Sequence, residues 1–231
     1  MVHIGGLQKV SMIDYPGRLS AVVFLSGCNF HCPYCHNPEL TRSDRDQSVP
    51  ASDVLAYLRA RRGLLDGVVL TGGEPTLQKG LPDLCRAVHA LGYTVKLDTN
   101  GSVPEVLQTL IRENLIDYVA MDVKTDPDHY APSLCRQNPA AAIKASIQLI
   151  MASGLPYEFR TTCFRPLVNA ETMASIGGLI KGAETYAIQK FCAKETLDPD
   201  AGSSRDHLFD DNELLGLKAI VEPMVECCFV R

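Results

Sequence analysis

Six short apolar runs, separated by segments of helical period, constrain this chain more than any other feature. The runs are Ala21 to Leu25, Val68 to Thr71, Tyr93 to Leu97, Tyr118 to Met121, Glu158 to Cys163 and Tyr186 to Phe191, each bounded by Gly, Asp or Asn. Near-continuous apolarity of that length is what a strand buried on both faces requires. Between the runs, Leu77, Leu81, Leu84, Cys85, Val88 and Leu91 line one helical face, and Gly92 is ready to end that helix. A second helix is expected to open with Ser102 as N-cap, Pro104 behind it and Glu105 completing a capping box, and to bury Val106, Leu107, Leu110 and Ile111. Further helices are expected over Ser52 to Leu65, Pro139 to Ser153, Ala170 to Lys181 and Asp211 to Val221. Regular alternation implies parallel strands joined by helical crossovers, as an open sheet or as a full or partial barrel.

A chain of 231 residues fills one sizeable core, so residues 1–231 are read as a single domain. The net charge of −5, from 22 basic and 27 acidic residues, gives no electrostatic footprint for nucleic acid and no basic patch for a membrane. A protein or small-molecule substrate fits better. The opening residues Met1 to Leu7 lack a basic region followed by an apolar one, and no stretch reaches the ~18 apolar residues of a membrane span. A cytoplasmic protein is expected, with solvated loops at Thr41 to Pro50 and Leu197 to Arg205.

Nine cysteines, an odd number, argue against a disulfide framework and for reduced thiols or metal ligands. Cys28, Cys32 and Cys35 fall within eight residues after the first apolar run, whereas Cys85, Cys135, Cys163 and Cys192 are scattered and Cys227 and Cys228 close the chain. Three soft thiolates on one short loop suit iron-sulfur or zinc ligation. Zinc wants a fourth ligand, for which His31 or His36 is available. A cubic iron-sulfur cluster with three ligands leaves one iron open. Polar segments also follow the strands: Gly72-Gly-Glu-Pro75 after the second, Asp98-Thr-Asn-Gly101 after the third, and Asp122-Val-Lys124 after the fourth. In parallel α/β architectures the carboxyl ends of the strands form the functional face, so these segments are expected to converge.

Cys28-x3-Cys32-x2-Cys35, with Tyr34 just before its last cysteine, resembles the signature of the radical S-adenosylmethionine superfamily, and Gly72-Gly-Glu-Pro75 resembles that family's glycine-rich element. The resemblance implies a partial (β/α)6 barrel of parallel strands with outer helices. It also implies a 4Fe-4S cluster on the three cysteines whose open iron chelates S-adenosylmethionine. One electron then yields a 5′-deoxyadenosyl radical that abstracts hydrogen from a substrate. Gly72, Gly73 and Glu74 would receive the methionine ammonium, the glycines by close backbone approach and Glu74 by charge.

The resemblance sharpens toward the glycyl-radical-enzyme activases through Cys35-His-Asn37, Leu97-Asp-Thr-Asn-Gly101, Met121-Asp-Val-Lys124 and the fifth-strand Arg160. It implies that Asp98, Thr99, Asp122, Lys124 and Arg160 lie beside S-adenosylmethionine or the substrate, in some members with a monovalent cation. It implies a glycyl radical enzyme as protein substrate and a flavodoxin or ferredoxin as electron donor. No cysteine lies between Cys35 and Cys85, so the ferredoxin-like insert of larger activases is missing, and the chain is most similar to the compact activases of anaerobic ribonucleotide reductase. Asp122 and Lys124 share one strand face, as do Glu158, Arg160 and Thr162, so internal ion pairing is an alternative role for these charges. Gln189 and Phe191 stand between cofactor contact and core, and Asp14 sits where some activases carry a different loop, since Tyr15 replaces a glycine there. Cys85, on an apolar helix face, is expected in the core, and Cys227 and Cys228 lack the spacing for a second cluster. Two other readings stay open: a radical S-adenosylmethionine enzyme acting on a small molecule or peptide, and a zinc or iron-sulfur protein without catalysis.

Overall fold

All six expected strands are present in a computed structural model of the protein, which describes residues 2–42, 48–193 and 196–231. The expected loop at Thr41 to Pro50 lies partly outside those residues. The chain divides into two compact units, one made of Met1–Asn29, Glu39–Thr99 and Glu105–Val119, the other of Phe30–Pro38, Asn100–Pro104 and Ala120–Arg231.

In the first unit, strands β1 (Ile4–Ser11), β2 (Ser20–Leu25), β3 (Gly67–Gly72) and β4 (Thr94–Thr99) lie side by side in chain order. β2 to β4 are parallel, with Leu25 opposite Gly72 and Leu70 opposite Leu97. Helices α1 (Ala51–Ala60) and α2 (Leu81–Ala90) form the crossovers, and α3 (Pro104–Arg112) follows β4. Ala21, Val23, Val68, Leu70, Val95 and Leu97 are fully buried, as are Val54, Leu58, Leu81 and Val88 on the helices. Each such Val or Leu side chain contributes about 1.5–3 kcal/mol by leaving water. The α2 face is as expected from Leu81 onward, and Gly92 ends the helix at φ +88°. Leu77, expected on that face, instead sits in a short 3-10 turn and is exposed, because Pro75 and Gly80 delay the helix start. α1 stops at Ala60, short of the expected Leu65, and is followed by a turn through Gly63 at φ +77°. α3 begins at Pro104, so Ser102 precedes the cap position; its N–H is taken by Asn100 Oδ1 at 2.9 Å.

The second unit holds the last three residues of β5 (Tyr118–Asp122), then β6 (Tyr157–Cys163), β7 (Thr185–Lys190) and β8 (Cys227–Val230), in that order. β6, β7 and β8 are parallel, with Arg160 opposite Ala187 and Tyr186 opposite Cys228. The helices are α4 (Ala140–Met151), α5 (Ala170–Leu179), α6 (Pro199–Ser203) and α7 (Asp211–Val221). Asn169 caps α5 through the Thr172 N–H at 2.8 Å, and Asp210 with Glu213 forms a capping box on α7. The α/β class with parallel strands and flanking helices stands. Two strands exceed the expected six: β1, which is antiparallel to β2, and β8; the short α6 falls where a loop was expected. Among the described residues no helix is long and apolar enough to cross a membrane.

Candidate functional site

In the first unit the chain leaves β2 at Leu25 and turns through Gly27, at φ +98°, into Cys28. The glycine-rich segment is fastened to that turn. Gly73 N–H donates to the Leu25 carbonyl at 2.7 Å and Glu74 N–H to the Gly27 carbonyl at 2.8 Å. A Cβ at Gly73 would stand 2.2 Å from the Gly27 oxygen, so only glycine permits this approach. Gln78 adds a brace, donating to the Ser26 carbonyl at 2.7 Å while its own oxygen accepts the His3 N–H at 3.0 Å.

Glu74 follows at 0% exposure. Its Oε1 accepts the Thr76 N–H at 3.0 Å, the Thr76 hydroxyl at 2.5 Å and the Thr99 hydroxyl at 2.8 Å. A buried carboxylate is tolerated only with such partners, and these hold it in one rotamer. Three predicted residues, Gly73, Glu74 and Thr99, are thereby linked around the end of β3 and β4. Asp98, at the end of β4, pairs with Lys96 two residues earlier.

In the second unit, Cys32 and Cys35 form a turn closed by the Cys35 N–H on the Cys32 carbonyl at 3.0 Å. Leu197 N–H donates to the Cys35 carbonyl and Asp198 N–H to the Pro33 carbonyl, both at 3.0 Å. An aromatic cluster supports the same loop: Tyr34 packs 5.2 Å from Phe164, which lies 5.2 Å from Phe191, and the His36 ring stacks on Phe191 at 5.6 Å. Phe191 is therefore part of this ring cluster, and Gln189 meets Thr162 at 3.4 Å. His36 Nε2 is 2.9 Å from the Cys192 carbonyl. The Tyr34 hydroxyl is buried with no hydrogen-bond partner among the described residues. Burial pushes that phenol well above its ordinary value, outweighing the nearby Lys124 ammonium.

Asp122 at the end of β5 accepts Arg160 Nε at 2.6 Å and Lys124 Nζ at 2.8 Å. Burial alone would raise its carboxyl, but the two cations outweigh it and hold it well below the usual carboxylate range. Lys124 is the converse: burial would lower its ammonium, yet Asp122, with Tyr34 and Cys32 behind it, raises it well above the ordinary value. Tyr130 completes the group, its hydroxyl accepting the Lys124 N–H at 2.8 Å. Glu158, buried on β6, lies 3.8 Å from Arg160 and is clamped by Arg231 at 3.0 and 3.2 Å.

Sequence reasoning passed over Lys96, Thr76, Gln78, Phe164 and Tyr130. Lys96 had a visible signal, as the one charge inside the Tyr93 to Leu97 run; the others lacked one.

Among the described residues no three His, Cys, Asp or Glu side chains gather as ligands of a single metal ion. Cys28, Cys32 and Cys35 are in no disulfide and supply the soft donors of an iron-sulfur cluster, whose separate irons take one thiolate each. Donor chemistry thus fits a 4Fe-4S cluster. Thiol donors of that kind on a chain of parallel strands and flanking helices fit a protein organised around a redox cofactor.

The profile of the radical S-adenosylmethionine superfamily matches residues 22–181. A Methanocaldococcus jannaschii protein, named provisionally as a glycyl-radical enzyme activating enzyme, is 34% identical over 99% of this chain and 95% of its own length. The pyruvate formate-lyase-activating enzyme of Clostridium pasteurianum is 29% identical over 56% of each chain. Streptococcus suis SuiB, solved with its precursor peptide SuiA, shares the fold at a TM-score of 0.67 and 15% identity, over 91% of this chain and 48% of its own. The chain belongs to the radical S-adenosylmethionine superfamily, in the group of glycyl-radical-enzyme activating enzymes. A 4Fe-4S cluster and S-adenosylmethionine are the cofactors that membership carries.

Proposed function

We propose that this protein installs a glycyl radical on a partner enzyme, such as anaerobic ribonucleotide reductase, by abstracting hydrogen from a backbone Cα. The observation that carries this reading is 34% identity running through 99% of the chain and 95% of an activating-enzyme relative. The missing cysteines between Cys35 and Cys85 support the compact, ribonucleotide reductase type of activase. When bound, the cluster supplies the electron that cleaves S-adenosylmethionine to a 5′-deoxyadenosyl radical.

The rest falls to the protein's own side chains. Cys28, Cys32 and Cys35 hold the cluster. Glu74, fixed by Thr76 and Thr99, offers a carboxylate to the methionine ammonium, and the Gly72-Gly73 backbone allows close approach. Asp98, Thr99 and Tyr34 contact the cofactor, and Asp122, Lys124 and Arg160 form a charged group suited to its carboxylate and to the substrate. A monovalent cation beside the strand-end carboxylates, a flavodoxin or ferredoxin donor, a cytoplasmic setting and action of residues 1–231 as a single domain belong to the same proposal.

Reduced, anaerobically reconstituted protein incubated with S-adenosylmethionine and the candidate reductase is expected to give a glycyl doublet in electron paramagnetic resonance. A competent cluster that cleaves S-adenosylmethionine yet yields no doublet with that reductase would remove it as the partner.

A further inference from the structure

Lys96 lies inside β4 between Val95 and Leu97, both fully buried, and its own side chain is 2% exposed. Lysine is among the residues least often buried without a partner. Here the ammonium donates to Asp98 Oδ1 and lies 5.9 Å from the Tyr118 ring centroid. The i, i+2 spacing places lysine and aspartate on one face of the strand, and the next residue, Thr99, carries the hydroxyl that holds Glu74. Desolvating a charge pair is costly, and an apolar residue of the same length would fill the space with no such cost. Packing therefore does not account for a lysine at this position.

We propose that Lys96 is a positioning residue for cofactor binding: its side chain, hydrogen-bonded to Asp98, fixes that carboxylate in the orientation that receives S-adenosylmethionine. The inference rests on the assignment of Asp98 to the cofactor made above. Lys96 does not touch the cofactor; it acts through Asp98.

Equilibrium binding of S-adenosylmethionine to the reconstituted full chain tests this without reference to turnover, in wild type, K96M, K96R, D98N, K96M/D98N and K96R/D98N, with thermal midpoints measured alongside. D98N is expected to weaken binding about tenfold, K96M by a similar factor, and the double variant no more than D98N alone, since the lysine has nothing left to orient. K96R keeps the charge but changes its reach; it is expected to weaken binding less than K96M, and not at all in the D98N background. It carries the test if K96M alone does not fold. Wild-type affinity in D98N would overturn both the assignment of Asp98 and the role of Lys96. Weakened D98N with unaffected Lys96 variants, or a double variant weaker than D98N by the full lysine factor, would overturn the role of Lys96 alone.

Discussion

Glu74 is the carboxylate proposed for the methionine ammonium. It is held at 0% exposure by three donors on a single oxygen, so the removal of one donor is felt at once. Thr99→Val takes away the hydroxyl at 2.8 Å and leaves the carboxylate under-satisfied, with an expected cost of about 1–3 kcal/mol read as a lower thermal midpoint. Gly73→Ala forces a Cβ to 2.2 Å from the Gly27 oxygen, so the turn before Cys28 must shift. A loss of about 1–3 kcal/mol is expected, together with reduced iron retention after reconstitution. Much of this site was legible because charged residues at strand ends stand out against apolar runs: Glu74, Asp98 and Asp122 could all be singled out. Thr76 and Tyr130 could not, since a threonine two residues on or a tyrosine in a loop carries no pattern of its own. Lys96 was legible in principle, as the one charge interrupting Tyr93 to Leu97.

Neighbouring strands are joined by charge as well as by their ladders. Asp122 on β5 takes Arg160 from β6 and Lys124 from its own end, with side-chain exposures of 24%, 11% and 15%. Asp122→Asn takes the shared carboxylate charge away from Arg160 and Lys124 and is expected to cost about 3 kcal/mol near neutrality. Because the native carboxyl is held below its ordinary value, the unfolded chain takes up the proton first as pH falls below about 4. Wild-type stability therefore declines in acid through this group, and the variant lacks that decline. The difference in thermal midpoint between wild type and D122N should be full above about pH 4 and close as pH drops further. At the α7 start, Asp210→Ala opens the capping box and should cost about 1 kcal/mol by denaturant titration. The six strands recognised in the sequence are buried on both faces and read as apolar runs. β1 was missed because it is half-exposed, contains a glycine pair and runs Leu-Gln-Lys-Val, and β8 because it is four residues with no bounding turn signal.

Across the whole molecule, the nine cysteines divide by environment. Burial pushes the Cys85 and Cys163 thiols up to about 12, whereas Cys192 and Cys227 are exposed. Alkylation of the folded protein near neutral pH, mapped by mass spectrometry, is expected to label Cys192 and Cys227 first and to spare Cys85 and Cys163 until denaturant is added. The superfamily match at residues 22–181 takes in all three proposed cluster ligands and every proposed cofactor contact from Tyr34 to Arg160. The segment after it, from β7 to β8, was opaque to motif reading, yet Arg231 beyond β8 anchors the buried Glu158. The central claim is that this chain takes a hydrogen atom from a glycine Cα of a partner protein. Partner reductase labelled with α-deuterated glycine, incubated with reduced protein and S-adenosylmethionine, tests it most directly through the mass of the 5′-deoxyadenosine formed. The account predicts 5′-deoxyadenosine carrying one deuterium as the partner acquires its radical; 5′-deoxyadenosine formed without deuterium in the presence of a competent, fully labelled partner would contradict it.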